Sequence, residues 1–196
     1  MADGSFHIIV ITSPGFIEDE ALWITRLLDA GVNYVHIRKP GWDENKVRNL
    51  LLQIPQQFRS RLTLHDYYNL AQEGLVGGIH LNSRNFSAFI GDFRVSRSCH
   101  SLDETELFRN LDYVTLSPIF DSISKPGYNS AFNLELIKPE LEGKRIIALG
   151  GVDCNKFAQL KDVGFEGAAL LGAVWQTDDM ATVVQNLSEA HRRYNP

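Results

Sequence analysis

The sequence predicts a single (β/α)8 barrel, a TIM-type α/β fold in one domain covering residues 1–196, with any active site at the carboxyl ends of the strands. Three observations predict it. Eight short apolar or β-branched runs recur along the chain, segments with helical spacing lie between most of them, and no composition break or linker divides the sequence. Runs that short and that continuous suit strands buried on both faces, and parallel strands need crossover connections. A doubly wound open sheet is the structural alternative.

The runs, in order, are His7–Ser13, Tyr34–Arg38, Leu62–Asp66, Gly78–Asn82, Phe93–Ser98, Tyr113–Phe120, Arg145–Gly150 and Gly167–Val174. After the first, Glu18–Ala30 places Ala21, Ile24, Leu27 and Leu28 on one helical face; after the second, Glu44–Ile54 does the same with Val47, Leu50, Leu51 and Ile54. Ser101 followed three residues later by Glu104 is a capping-box pattern, so a helix is expected to start at Leu102. Asp153 or Asn155 caps a helix whose apolar face carries Phe157, Leu160 and Val163, and a last helix runs from about Asp178 to Tyr194. The segments Asn82–Gly91 and Asn133–Leu141 are short and predict single turns only.

Composition excludes several function classes. Hydrophobic residues at 44% and charged residues at 22% fit an ordinary globular protein, not a disordered or membrane-spanning one. A net charge of −5 with scattered basic residues argues against a nucleic-acid surface, while leaving room for small anions held by local charge. Residues Met1 to Ser5 lack the basic start and apolar core of an export signal, so a cytoplasmic location is expected. Cys99 and Cys154 are far apart and without metal-ligand spacing, which predicts reduced thiols.

The barrel assigns the strand ends to one face, and those positions are polar: Ser13, Arg38, Lys39, His65, Asp66, His80, Asn82, Arg97, Ser98 and His100. In the stretch SPIFDSISKPGY, Ser122 and Ser124 offer hydroxyl donors and Lys125 a point charge, all suited to phosphate oxygens, although a solvated turn is an ordinary use of such a sequence. Gly150-Gly151 and Gly172 follow the seventh and eighth runs, where barrel enzymes often hold phosphate through backbone N–H groups. His65 and His80 could form a pair near a ligand, but they lack HxxxH or HExxH spacing, so no transition-metal site is expected there; His36 either lines the pocket or packs inside the barrel. Trp42, Tyr67 and Tyr68 could cover a flat heteroaromatic ring, though packing is the commoner use of such aromatics.

The pieces YVHIRKP, LHDYYNLA, GGIHLN, SRSCHSLDE, DYVTLSPIFDSISKPGY, IIALGGV and GFEGAALLGAV, in order and spacing, resemble the motif series of the thiamine-phosphate synthase and TenI-like thiazole tautomerase family from about His7 to Val174. The resemblance implies a TIM barrel that joins a hydroxymethylpyrimidine diphosphate to a thiazole phosphate, with Mg2+ on the diphosphate and positive charge developing on the pyrimidine as pyrophosphate leaves. It also implies residue roles. Arg38, with Lys39, would contact the diphosphate and Asp66 would bind Mg2+; Ser98 and Lys125 would contact the leaving pyrophosphate; Ser122, Ser124, Gly151 and Gly172 would surround the thiazole phosphate.

Four positions depart from the family pattern: His36 replaces a glutamine, Pro40 a lysine whose charge has moved to Lys39, His65 an asparagine, and Asn85 the second metal aspartate. An amide ligates Mg2+ without adding charge, so the metal should be held more weakly. The tautomerase branch instead moves a proton and needs no metal; His100 in the R-S-x-H-S pattern resembles its acid/base histidine, a role imidazole suits near neutral pH. Synthase-type coupling is the main expectation. Tautomerisation and a non-catalytic binder of thiamine-related phosphates are the alternatives; an unrelated phosphate-sugar isomerase or aldolase on the same barrel is disfavoured by the lack of a Schiff-base lysine inside a strand, and a homodimer is compatible with the sequence.

Overall fold

The computed structural model describes residues 5–83, 85, 91–121 and 132–195. Its strands are β1 (His7–Ile11), β2 (Tyr34–Ile37), β3 (Leu62–Leu64), β4 (Gly78–Leu81), β5 (Arg94–Cys99), β6 (Tyr113–Leu116), β7 (Ile146–Leu149) and β8 (Gly167–Leu170). All neighbours pair in parallel, and β8 closes on β1 with Ile9 opposite Ala169. The eight runs of the sequence therefore form one closed barrel. Most strands stop short of the polar ends of those runs, because residues such as Arg38, Asp66 and Asn82 belong to the loops at the mouth.

The helices are α1 (Glu20–Asp29), α2 (Glu44–Gln53), α3 (Asn69–Gln72), α4 (Leu102–Leu107), α5 (Leu134–Leu141), α6 (Phe157–Val163), α7 (Gly172–Trp175) and α8 (Met180–Tyr194). Their starts follow side-chain caps where the sequence supplies them: Asp43, Ser101 and Asp179 accept from Lys46, Glu104 and Thr182 backbone N–H groups. Asp153, not Asn155, begins the turn that leads into α6, accepting from Asn155 N. The capping box after β5 is modified, since Glu104 Oε2 takes the N–H of His100 at 2.6 Å.

The segment Asn133–Leu141 is a correction. It forms the eight-residue helix α5 where a single turn was expected, because Asn133 caps it and Ile137 and Leu141 bury against the core, which outweighs its short length and internal Pro139. The other short segment, Asn82–Gly91, lies largely outside the described residues. One-turn α3 and the 3-10 turns Gln56–Arg61 and Cys154–Lys156 were not foreseen, and the expected eighth run is corrected at its end, where Gly172–Val174 belongs to the one-turn helix α7 and not to β8.

Among the described residues, two apolar clusters hold the fold. The larger fills the layer between barrel and helices, with Val35, Ile37, Leu62, Leu64, Ile79, Leu116 and Ala148 meeting helix residues such as Ile24, Leu51 and Leu160. Burying each aliphatic side chain of this size contributes about 1.5–3 kcal/mol. The smaller lies inside the barrel: Ile9, Ile11, Tyr113, Ile147 and Ala169. The interior is thus split. From β1, β7 and β8 it is apolar, whereas β2 to β6 send in buried His36, Thr63, His80, Ser96 and Thr115, with His65 just past the end of β3.

Candidate active site

Strand alternation explains what reaches the mouth. Val35 and Ile37 face the helices, so His36 points inward and Arg38 emerges at the rim. Its backbone is clamped to β1: Arg38 N donates to Thr12 Oγ1 at 2.9 Å, and that hydroxyl donates to the Arg38 carbonyl at 3.2 Å. Arg38, Ser98 and His100 line one cleft of about 320 Å3, together with His65, His80, Asn82 and Arg97. His100 Nδ1 lies 3.2 Å from the Ser117 carbonyl, an acceptor to which an Nδ1–H donates, fixing the ring's direction. Arg97 stacks 4.1 Å over Phe108.

Asp66 lies in the adjoining cleft of about 390 Å3, with Lys39, Trp42, Tyr67 and Asn85. Asn85 Nδ2 donates to Asp66 Oδ1 at 2.6 Å, so the two positions that the family resemblance assigns to metal are in contact. A half-turn of the amide would set its oxygen beside the carboxylate. That pair of oxygens would suit a hard cation.

Lys39 is placed otherwise than expected for direct phosphate contact. Its side chain is fully buried, with Nζ 2.6 Å from Glu20 Oε2 and donating to the Gly15 carbonyl at 2.7 Å. Burial pushes the Glu20 carboxyl up and the Lys39 ammonium down, and each partner offsets part of the other's shift. The pair ties α1 and the loop after β1 to the end of β2. The aromatics are structural as well: Tyr67 Oη donates to the Trp42 carbonyl at 2.6 Å, and buried Tyr68 donates to the His80 carbonyl at 2.7 Å.

Behind the cleft lies a chain of buried imidazoles. His36 Nδ1 is 3.0 Å from His65 Nε2, and His36 Nε2 is 2.6 Å from Tyr113 Oη. His65 and His80 stack with centroids 4.3 Å apart. Ser96 Oγ donates to the Ile79 carbonyl at 3.3 Å, so it accepts from His80 Nδ1–H at 2.8 Å; His80 Nε2 then accepts from Ser98 Oγ at 2.8 Å. Burial first, and then the Arg97 charge, lowers His80 to about 3; burial, with His80 and Arg94 adding to it, holds His36 well below the ordinary imidazole range. Burial raises Tyr113 to about 12. Ser98 is therefore oriented by a neutral imidazole.

The glycine turn after β7 packs against the loop after β6. Ile119 N and Phe120 N donate to the Leu149 and Gly150 carbonyls at 2.9 and 3.0 Å. Gly151 has φ 64°, and a Cβ there would stand 2.2 Å from the Asp121 carbonyl oxygen, so no side chain fits. Lys156 donates to the Gly151 carbonyl and lies 4.5 Å over the Phe120 ring. Gly172 opens α7 directly after Leu171, which with Leu149 lines the first cleft. Ser122, Ser124 and Lys125 lie outside the described residues.

Sequence reasoning missed the roles of Glu20, Tyr113 and Lys156 and the contact of His36 with the expected His65–His80 pair. Period-two alternation within β2, β4 and β6 was the available signal, since it sends His36, His80 and Tyr113 to the same interior. No local motif pairs residues 29, 44 or 77 positions apart; closure of the barrel does.

Comparison with known proteins gives one consistent result. The family model described as thiamine monophosphate synthase matches residues 8–174. A thiamine-phosphate synthase of Photorhabdus laumondii is 27% identical over 181 residues, covering 83% of this chain and 82% of that protein. The crystal structure of a thiamine phosphate pyrophosphorylase from Bacteroides thetaiotaomicron superposes with TM-score 0.83 at 30% identity, covering 95% of this chain and 96% of that one. A second, from Pyrococcus furiosus, has TM-score 0.78 at 16% identity and supports the fold alone.

Proposed function

The chain belongs to the thiamine monophosphate synthase family, and from that premise we propose that it couples a hydroxymethylpyrimidine diphosphate to a thiazole phosphate. The carbon–oxygen bond to the diphosphate breaks, the thiazole nitrogen forms the new bond to that carbon, and pyrophosphate leaves with the bonding pair. The observation that carries this reading is the grouping of Arg38, Ser98 and His100 on one cleft, with Asp66 and Asn85 in contact beside it.

Arg38 suits the diphosphate, because a guanidinium fork matches two phosphate oxygens and its backbone clamp to Thr12 fixes its direction. Asp66, with the Asn85 amide, would hold Mg2+, which when bound neutralises the diphosphate and eases its departure. Ser98, oriented by His80, and Lys125 are assigned to the leaving pyrophosphate. Ser122, Ser124 and the Gly151 and Gly172 backbones are assigned to the thiazole phosphate. Lys39 contributes at one remove, by holding the loop after β1 in place through Glu20 and Gly15. No acid or base is needed at the reacting carbon, so the site is built for charge stabilisation.

The proposal includes a cytoplasmic location; among the described residues no helix is long and apolar enough to cross a membrane. Incubation with both substrates and Mg2+ should yield thiamine phosphate and pyrophosphate in equal amounts. Metal-independent proton exchange on a thiazole carboxylate phosphate without coupling would replace this reading with tautomerisation, and saturable binding with neither reaction would reduce the protein to a binder.

A further inference from the structure

We propose that His36, His65 and His80 form a second metal site inside the barrel, separate from the Asp66 pair and selective for a borderline first-row ion such as Zn2+. One ring nitrogen of each lies within 4.8 Å of the others, and all three side chains are more than nine-tenths buried. A tetrahedral ion with bonds of about 2.0–2.1 Å needs its nitrogen ligands about 3.4 Å apart. The observed spacing, from 3.0 Å between His36 and His65 up to the 4.8 Å bound, brackets that value, so small ring rotations close the set.

For two of the three rings the supporting hydrogen bonds already have the form such sites use, in which a ligating imidazole donates its other N–H to a fixed acceptor. His36 can ligate through Nδ1 while Nε2–H donates to Tyr113 Oη, 2.6 Å away. His80 can ligate through Nε2 while Nδ1–H donates to Ser96 Oγ at 2.8 Å, the tautomer that Ser96 imposes. His80 Nε2 would then exchange its bond from Ser98 for the ion. His65 and His80 also line the cleft, which gives an ion a route of entry to the three rings.

Charge decides the class of ion. Arg38 and Arg97 line the cleft, and their field opposes any dication. A hard ion such as Mg2+, held by charge and oxygen ligands, gains nothing from three neutral imidazoles; Zn2+, Co2+ and Cu2+ gain their affinity from nitrogen donation. The site should therefore ignore Mg2+.

The test is Co2+ titration of the full-length, tag-free, metal-stripped protein, read by visible absorption. One equivalent of Co2+ should give the intense spectrum of a tetrahedral nitrogen-bound ion, displaced by equimolar Zn2+ and unaffected by millimolar Mg2+. His36→Gln and His65→Asn should each weaken binding at least tenfold, while Asp66→Asn leaves the spectrum intact. The wild-type spectrum decides even if a histidine variant fails to fold. No stoichiometric Co2+ or Zn2+ binding, an octahedral spectrum, displacement by Mg2+, loss of the spectrum in Asp66→Asn, or undiminished binding in folded His36→Gln would overturn the proposal. None of these outcomes depends on the coupling reaction.

Discussion

Single side chains at the mouth carry the sharpest predictions, because each is asked to meet charge that appears only as pyrophosphate departs. Arg38→Ala should lower kcat/KM by about 10²-fold or more, the loss typical of removing one preorganised donor, with the unfolding midpoint little changed. Lys125→Ala should lower kcat by a similar factor; wild-type turnover there would refute the leaving-group role assigned from the sequence. Residue identity at strand ends was legible in the sequence because the barrel places every such position on one rim. The occupation of Lys39 was not. Its ammonium is taken by Glu20, which stands at the start of α1 and shares no motif with it, so only the packing of α1 against β2 reveals the pair.

Between elements, two contacts hold the loops that shape the site. The Glu20–Lys39 pair fastens α1 and the loop after β1, and Glu20→Ala leaves a buried ammonium without its anion. Such a loss should cost about 3–5 kcal/mol, measured by urea unfolding. Gly151 fastens the loop after β6 to the turn after β7. Gly151→Ala forces a left-handed residue against the Asp121 carbonyl and should cost about 2 kcal/mol or more, while raising KM for the thiazole phosphate. The strands were legible as eight apolar runs and the longer helices from their spacing and caps. Helix α5 was not, because burial of Ile137 and Leu141 creates it in a segment whose length and Pro139 argue for less.

For the molecule as a whole, a barrel lined on one side by apolar residues and on the other by neutral imidazoles should be sensitive to acid. His36 and His80 stay unprotonated in the fold but charge near pH 6.5 in the unfolded chain, so the unfolded state takes up more protons below that value. Stability contributed above pH 6.5 should thus fall as pH drops from about 6.5 toward 3, by up to about 1.4 kcal/mol per pH unit for each histidine, in metal-free buffer. The slope should shrink in His80→Gln. The gathering of three histidines is also a property of the closed barrel, invisible to local spacing, whereas the barrel itself was readable from repetition along the chain. The measurement that tests the central claim most directly is Mg2+ titration of pyrophosphate and thiamine phosphate release by wild type, Asp66→Asn and Asn85→Asp. Equal release of both products, half-saturated at higher Mg2+ in Asp66→Asn and at lower Mg2+ in Asn85→Asp, is the predicted result. Release of neither product, or release whose Mg2+ dependence is unmoved by both substitutions, would contradict it.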